Sequence, residues 1–255
     1  MPWNHDTARA YGELGRQHHV AILESVVLGL LGSLEGRRVL DFGCGPGRLA
    51  IALAGAGAAE VVAVDESSEM VAEARANVDR SEPDLRRRVV VRHGNETDLG
   101  ALGGFDAVLS SLGLMMCDSR PRLEAVSRAL VGALQPGGRL VVVITHPCFR
   151  RRDYGTFHYD LPDDYDYWRS GVPYEVQLTP GTEHTTATIT DHHWTLEDYC
   201  NALTSAGGAL NRLLELPASR HDDGSPTGPP AYLAARLARI GPPDTAATAT
   251  SREPE

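Results

Sequence analysis

The chain of 255 residues contains no lysine, so all 24 of its basic residues are arginine. This absence excludes Schiff-base chemistry, a lysine general base and the lysine of a phosphate-binding P-loop. Acidic residues number 34, and the net charge is −10 with histidine neutral. That charge disfavours nucleic acid as a partner of this chain, and it equally disfavours binding to an anionic membrane surface.

Cysteines and long apolar runs are also scarce. The four cysteines lie far apart, without C-x-x-C spacing, which excludes a disulfide scaffold and a cysteine-rich zinc site. No run approaches 18 apolar residues, and the first residues carry neither a basic nor an apolar leader. We therefore expect a cytoplasmic protein with no membrane partner.

Short apolar segments alternate with helical patterns of 10 to 15 residues between positions 37 and 144. This alternation predicts an α/β fold with a doubly wound, mostly parallel, Rossmann-like sheet. Two further strand candidates, at 209–216 and 231–239, are joined by a loop too short for a helical crossover. We therefore predict seven strands, the last two forming an antiparallel hairpin.

The same patterns predict one domain over residues 1–240. Residues 1–35 are predicted to be a helical lid, and residues 241–255, rich in Pro, Ala and Thr, a disordered tail. Residues 148–194 show no clear helical periodicity, and the overlapping stretch 148–199 holds ten of the fifteen aromatic residues. We interpret this insertion as the binding region for a small organic molecule, with a satellite core as the alternative.

Three glycines at alternate positions, Gly43, Gly45 and Gly47, follow a strand that contains Asp41. Such glycines let bare main chain and a helix N-terminus approach a ligand, which predicts nucleotide binding. A dinucleotide fingerprint would place its third glycine where Arg48 stands, and this disfavours an NAD-linked reductase.

The segment Asp41-x-Gly43-x-Gly45-x-Gly47 resembles the first motif of class I S-adenosylmethionine-dependent methyltransferases. The resemblance extends over about residues 1–240 and implies S-adenosyl-L-methionine as cofactor. It implies that Asp41 binds the amino group of the methionine moiety and that Asp65, which ends the second strand, binds the ribose hydroxyls. The other cofactor contacts predicted on this basis are Tyr11, Gly43, Cys44, Gly45, Gly47, Glu66, Met70, Asn95, Glu96 and Ser110.

Two histidines are the candidate catalytic bases. His146 follows the fifth strand in the segment 145–149, which resembles a signature of a small-molecule subset similar to quinone-biosynthesis enzymes. His193 matches a histidine that is common before the last helix of that subset. The ordinary pKa of histidine suits proton removal near neutral pH, although a purely structural role is the alternative for His146. No H-x-x-x-H pattern is present, so we expect no metal.

The resemblance implies methyl transfer to oxygen or nitrogen, with carbon as a further option, on a small, partly aromatic metabolite of natural-product biosynthesis. The arginine run 150–152 beside the insertion could recognise a carboxylate or phosphate on that acceptor. Two alternatives stay open: a tRNA wobble-uridine carboxyl methyltransferase and a non-catalytic, cofactor-binding regulatory subunit. The sequence also leaves open the oligomeric state, with a homodimer among the options.

Overall fold

The predicted alternation of strands and helices is present in a computed structural model, which describes residues 7–8, 11, 18–152, 154, 157–178, 187–221 and 223–240. Five mutually parallel strands form most of the main sheet: β1 (Arg38–Phe42), β2 (Glu60–Asp65), β3 (Val89–His93), β4 (Phe105–Ser111) and β5 (Leu134–Thr145). The helices before and between them are α1 (His18–Leu31), α2 (Arg48–Gly55), α3 (Ser68–Arg80), α4 (Pro83–Arg88), α5 (Leu99–Leu102) and α6 (Arg120–Ala133).

The insertion, for which the sequence analysis predicted no secondary structure, forms a second sheet. Its three antiparallel strands are β6 (Phe157–Asp160), β7 (Val172–Leu178) and β8 (Ala187–His193), with β7 in the centre. Tyr174, Val176 and Leu178 on β7 are buried, while Glu175 between them is exposed. This two-residue alternation is what a sheet with one packed face requires.

The predicted hairpin completes the main sheet. After α7 (Leu196–Ser205), strands β9 (Gly208–Arg220) and β10 (Pro226–Arg239) give the strand order β3-β2-β1-β4-β5-β10-β9. β10 is antiparallel to both β5 and β9. The seven-stranded sheet with its antiparallel end is thus confirmed.

Alternate side chains of the central strands supply two separate apolar cores. On β1, Val39 packs with α1 and α2 on one face, whereas the next residue, Leu40, packs on the opposite face with α6 and α7. The inner face of the second sheet joins the first of these cores through Tyr174 and Val176. The second sheet is therefore docked on the same face of the main sheet as α1 and α2.

Two helices begin at caps that the sequence provides. Ser67 accepts a hydrogen bond from the N–H of Met70 and starts α3, directly after Asp65 at the end of β2. At the start of α7, Thr195 forms a reciprocal capping box with Asp198. These caps fix how the chain leaves β2 and β8.

Over the described ranges, no helix combines the length and apolarity needed to span a bilayer.

Candidate active site

The loop between β1 and α2 carries three glycines in the left-handed backbone region. φ is 70° at Gly43, 51° at Gly45 and 77° at Gly47, values that residues with a Cβ rarely adopt. A Cβ on Gly47 would also lie 3.1 Å from the Cβ of Ala74, because α3 packs directly against the loop. The glycines are needed for the tight turn that brings main chain to the edge of the sheet.

Asp41 is 1% exposed, and its Oδ2 atom has no hydrogen-bond partner among the described residues. Burial, and after it the charge of Asp65, raises the pKa of Asp41 to about 7, while a backbone hydrogen bond involving Ala50 opposes the rise. A buried carboxylate oxygen without a partner is costly. Asp41 is therefore suited to receive a cationic group that a ligand brings.

Asp65 is held by the backbone on both sides. Its Oδ2 accepts from the N–H of Gly45 at 2.8 Å, and its Oδ1 accepts from the N–H of Ser67 at 2.9 Å. Burial raises its pKa, and these two hydrogen bonds oppose the rise. Each carboxylate oxygen keeps a second lone pair, so Asp65 can accept from two adjacent hydroxyl groups as well.

Two adjoining cavities form one cleft at this edge of the sheet. The smaller, about 90 Å³, contains Asp65, and the larger, about 160 Å³, contains Asp41. Both are lined by Tyr11, Gly43, Gly45, Ser111, Leu112 and Met116. Because burial in this shared wall removes its hydroxyl from water, the pKa of Tyr11 rises to about 12. The cleft can hold one elongated ligand next to a second, smaller one.

The smaller cavity collects several of the predicted contacts. Beside Asp65, its walls include Glu66 and Met70, and Met70 is 2% exposed. Glu66 is ion-paired with Arg122 at 2.5 Å, and Arg122 lines the same cavity. This end offers an acid for a diol and an apolar thioether surface for a flat ring.

Asn95 and Glu96 lie outside the walls that the described residues form. The Oδ1 atom of Asn95 accepts from the N–H of Thr97 at 2.9 Å and from its hydroxyl at 2.7 Å, and so caps a short 3-10 helix. Glu96 pairs with Arg122 at 3.2 Å. Asn95 would have to give up its capping role before its carbonyl oxygen could accept from an adenine amino group.

Three further residues were predicted to contact the cofactor: Cys44 and Gly47 in the glycine loop, and Ser110 on β4. The structure places only some of them in the wall of the cleft. Cys44 lines the larger cavity, and burial raises the pKa of its thiol well above the usual value. Gly47 packs on α3 instead. Ser110 is fully buried behind the wall, whereas its neighbour Ser111 faces both cavities, because successive residues of a strand point to opposite faces.

The larger cavity is mostly apolar and is closed by the second sheet. Phe157, Val176, Leu178 and Ile189 reach it from β6, β7 and β8, and Tyr232 reaches it from β10. Its polar lining residues include Tyr11, Asp41, Arg48, Ser111, Thr145 at the end of β5 and Asp191 on β8. Aromatic and aliphatic walls with a few polar groups are typical of sites for small organic ligands.

Asp191 is a cavity residue that the sequence analysis did not select. It is 2% exposed; Oδ2 accepts from the hydroxyl of Tyr174 at 3.4 Å, and Oδ1 has no partner among the described residues. Burial raises its pKa to about 6, opposed by the nearby charge of Arg150. One signal was available: Asp191 occupies an inward position of β8, two residues after Ile189.

His146 lies beside the cleft but not in its wall, as the described residues form it. Its Nε2 is 3.0 Å from Oε1 of Glu215 on β9, and its Nδ1 accepts from the N–H of Cys148 at 3.3 Å. Burial lowers its pKa, while Glu215 opposes that shift. To serve as the catalytic base, the ring would have to leave these partners.

His193 is fully buried and also lies outside the described wall of the cleft. Its Nε2 donates to the carbonyl of Tyr167 at 2.8 Å, and its Nδ1 lies 3.3 Å from Nε of Arg150 and 3.2 Å from the hydroxyl of Tyr165. Burial lowers its pKa. The proposed role of His193 as a base would likewise require the ring to change partners.

The arginine run 150–152 is divided between core and surface. Arg150 is 2% exposed and donates to the hydroxyl of Thr145 at 2.9 Å, whereas Arg151 and Arg152 are exposed. Within the described ranges, no three His, Cys, Asp or Glu side chains converge as metal ligands.

Comparison with known proteins gives consistent matches. A family profile described as "Methyltransferase domain" matches residues 39–138. N-demethylindolmycin N-methyltransferase of Streptomyces griseus is 32% identical over 219 residues, which cover 85% of this chain and 86% of the relative. A ubiquinone biosynthesis O-methyltransferase of Xanthomonas campestris is 39% identical over 110 residues, covering 42% of this chain and 43% of that relative.

The fold is also found in solved structures. The glycopeptide N-methyltransferase MtfA, solved in complex with S-adenosyl-L-methionine, aligns with a TM-score of 0.64 at 16% identity. The alignment covers 86% of this chain and 93% of MtfA. At this identity the likeness concerns the fold alone.

Proposed function

Because the chain belongs to the class I S-adenosylmethionine-dependent methyltransferases, we propose that it methylates a nitrogen or oxygen atom of a small, partly aromatic metabolite in natural-product biosynthesis. The observation that carries this proposal is the larger cavity: an apolar, partly aromatic space of about 160 Å³ that adjoins the glycine loop and is closed by the second sheet. Such a space suits a small ring system better than a polymer.

The residues of the cleft fit the cofactor of the family. S-adenosylmethionine supplies a methyl group bound to a positively charged sulfur. Asp41, whose Oδ2 is buried without a partner, would accept from the cofactor's ammonium group. Asp65 would accept from the two ribose hydroxyls, and Met70 would pack on the adenine. Each role uses a side chain that lines the cleft.

Among the two acceptor atoms, nitrogen is the better supported. The relative that aligns over most of this chain is named as an N-methyltransferase of N-demethylindolmycin. The larger cavity is lined by the carboxylate of Asp191 in addition to that of Asp41, which would hold the cofactor, and by the guanidinium of Arg48. The carboxylate of Asp191 favours an acceptor that carries N–H groups.

The alternatives are less well supported. A tRNA substrate requires phosphate contacts, which the net charge of −10 disfavours. A cofactor-binding subunit without chemistry needs no polar group near the transferred methyl, yet Thr145 and Asp191 both line the acceptor space. These two residues favour an enzyme that handles a proton.

The test is methyl transfer from S-adenosylmethionine that carries a deuterated methyl group. The protein is incubated with a mixture of small aromatic amines and alcohols and, separately, with bulk tRNA, and the products are identified by mass spectrometry. We expect the label in the small-molecule fraction, on nitrogen more than on oxygen. Label in the tRNA alone would contradict the proposal.

We also propose a cytoplasmic location. All four cysteines, Cys44, Cys117, Cys148 and Cys200, are free thiols in this structure. Unpaired cysteines are typical of a reducing compartment. Cell fractionation with an antibody to the chain would test this, and recovery outside the cytoplasm would contradict it.

A further inference from the structure

Asp191 contributes a carboxylate to the larger cavity from a different sheet than the cofactor contacts. It comes from β8 in the second sheet, whereas Asp41 and Asp65 come from strands of the main sheet. It lines the larger cavity and not the smaller one. Its unpartnered Oδ1 is therefore buried in the part of the cleft that the acceptor would occupy.

The residues behind Asp191 stabilise its charge without placing a cation in the acceptor space. The guanidinium of Arg150 lies 4.8 Å from the ring centre of Tyr174, whose hydroxyl donates to Oδ2 of Asp191. Arg150 itself is held by Thr145 and His193 and does not line the larger cavity. One oxygen of the carboxylate is thus occupied by protein and the other is left for a ligand.

The surroundings of Oδ1 limit the chemistry of that ligand. The nearby walls contributed by Val176, Leu178 and Ile189 are apolar. Arg48, the first residue of α2, is the cation that the described residues contribute to this cavity, whereas the cation whose charge lowers the pKa of Asp191 is Arg150. An ionised carboxylate in an apolar wall requires a hydrogen-bond donor, and an acceptor with an anionic head would bring a second negative charge close to it.

We infer that Asp191 binds the reactive amino group of the acceptor through Oδ1 and takes its proton during methyl transfer. This inference rests on the proposed function and makes it specific: the acceptor is a primary or secondary amine attached to an apolar, partly aromatic body. Asp191, rather than His146 or His193, is then the residue in contact with the reacting nitrogen.

The proposed step balances in atoms and charge. The lone pair of the neutral amine nitrogen forms the new N–C bond as the bond between the methyl carbon and the cofactor's sulfur breaks, leaving its electron pair on sulfur. One N–H proton passes to Oδ1 of Asp191. The products are the methylated neutral amine, the neutral thioether and a protonated Asp191, which returns its proton to water when the cleft opens.

The first experiment uses the unaltered protein saturated with S-adenosylhomocysteine. Calorimetric titrations compare two matched sets that differ only in their head group: tryptamine, tryptophol and indole-3-acetate, and phenethylamine, phenethyl alcohol and phenylacetate. In at least one set we expect the amine to bind about tenfold tighter than the alcohol and the carboxylate to bind weakest. Equal affinities within each set, tighter binding of a carboxylate, or no binding by any member would overturn the inference.

The second experiment replaces the carboxylate. Asp191→Asn keeps the shape of the side chain and should lower affinity for the preferred amine about tenfold, with the affinity for S-adenosylhomocysteine unchanged. Asp160→Asn is the matched control, because Asp160 lies on an exposed position of β6 in the same sheet; it should change neither affinity. Unchanged amine binding in Asp191→Asn would refute the role of Oδ1.

The role of Asp191 and the methyltransferase function can be refuted by different results. If the unaltered protein binds S-adenosylhomocysteine and methylates an alcohol or carboxylate better than its matched amine, the role of Asp191 is wrong and the methyltransferase function stands. If the protein does not bind S-adenosylhomocysteine at all, the proposed function fails first. Affinity for S-adenosylhomocysteine is therefore measured for every variant before any acceptor is added.

Discussion

Replacing Asp41 by asparagine should stabilise the ligand-free protein while weakening its hold on the cofactor. In the folded chain Asp41 is buried with one unpartnered oxygen, and burial together with the charge of Asp65 raises its pKa to about 7. An ionised group in that position opposes folding until a ligand ammonium neutralises it. Asparagine has the same shape and carries no charge. It therefore removes both the unfavourable burial of a charge and the attraction to the ligand's ammonium group.

The magnitude follows from proton linkage. The pKa of Asp41 is about 7 in the folded protein, against an ordinary value of 3.8. Between these values the folded state holds a proton that the unfolded state has lost, so wild-type stability falls as pH rises. Each pKa unit corresponds to about 1.4 kcal/mol. From pH 5 to pH 8, about two units lie inside the window, and the wild type should lose about 3 kcal/mol that Asp41→Asn retains.

Urea unfolding at pH 5 and pH 8, without ligand, measures this difference. Asp163→Asn serves as the control, because Asp163 is exposed on the segment before β7. At pH 8 the same Asp41→Asn protein should bind S-adenosylhomocysteine between about 10-fold and 100-fold more weakly, the loss expected for a hydrogen bond to a charged group. If the stability difference between variant and wild type is the same at both pH values, Asp41 is not a buried acid with a raised pKa.

Three further changes test other parts of the site. Asp65→Ala should lower affinity for S-adenosylhomocysteine by at least about 100-fold in calorimetry, since two charge-assisted hydrogen bonds to the ribose are lost; unchanged affinity would refute the ribose assignment. Gly47→Ala should destabilise the protein by about 2 to 4 kcal/mol in urea unfolding, through backbone strain and a clash with α3. Gly36→Ala shares the strain (φ 68°) but meets no atom within 4 Å, so it should cost only about 1 kcal/mol. His146→Gln and His193→Gln should slow turnover less than tenfold, because neither ring lines the described cleft; a hundredfold loss with unchanged stability would identify that ring as the base.

The main sheet was predictable because its signals are local. Glycines lie directly before or after several of the buried strands and mark where they begin or end. The start of α7 is marked by Thr195 and Asp198, which form a capping box with each other. The glycine loop after Asp41 is likewise a contiguous motif whose spacing follows from the turn that it makes. In each case the residues that determine the structure are neighbours in the chain.

The second sheet and Asp191 depend on contacts that are distant in sequence. Residues 148–194 show no helical periodicity, whereas Tyr174, Val176 and Leu178 alternate with polar residues as a strand does. The ordinary pKa of histidine lies near neutrality, which favours histidine over aspartate as a base when only the sequence is considered. The raised pKa of Asp191 comes from burial, which no single-residue property reveals before the sheet is placed.

His146, His193 and Arg150 link strands that surround the acceptor space and so maintain its shape. His146 links the end of β5 to Glu215 on β9, and Arg150 links Thr145 of β5 to His193 at the end of β8. The second link joins the main sheet, which holds the cofactor contacts, to the second sheet, which presents Asp191. A fixed distance between those two sets of groups is what in-line methyl transfer requires. The buried guanidinium of Arg150 therefore fixes the spacing of the two sheets, while the carboxylate of Asp191, two residues before His193, lines the acceptor space.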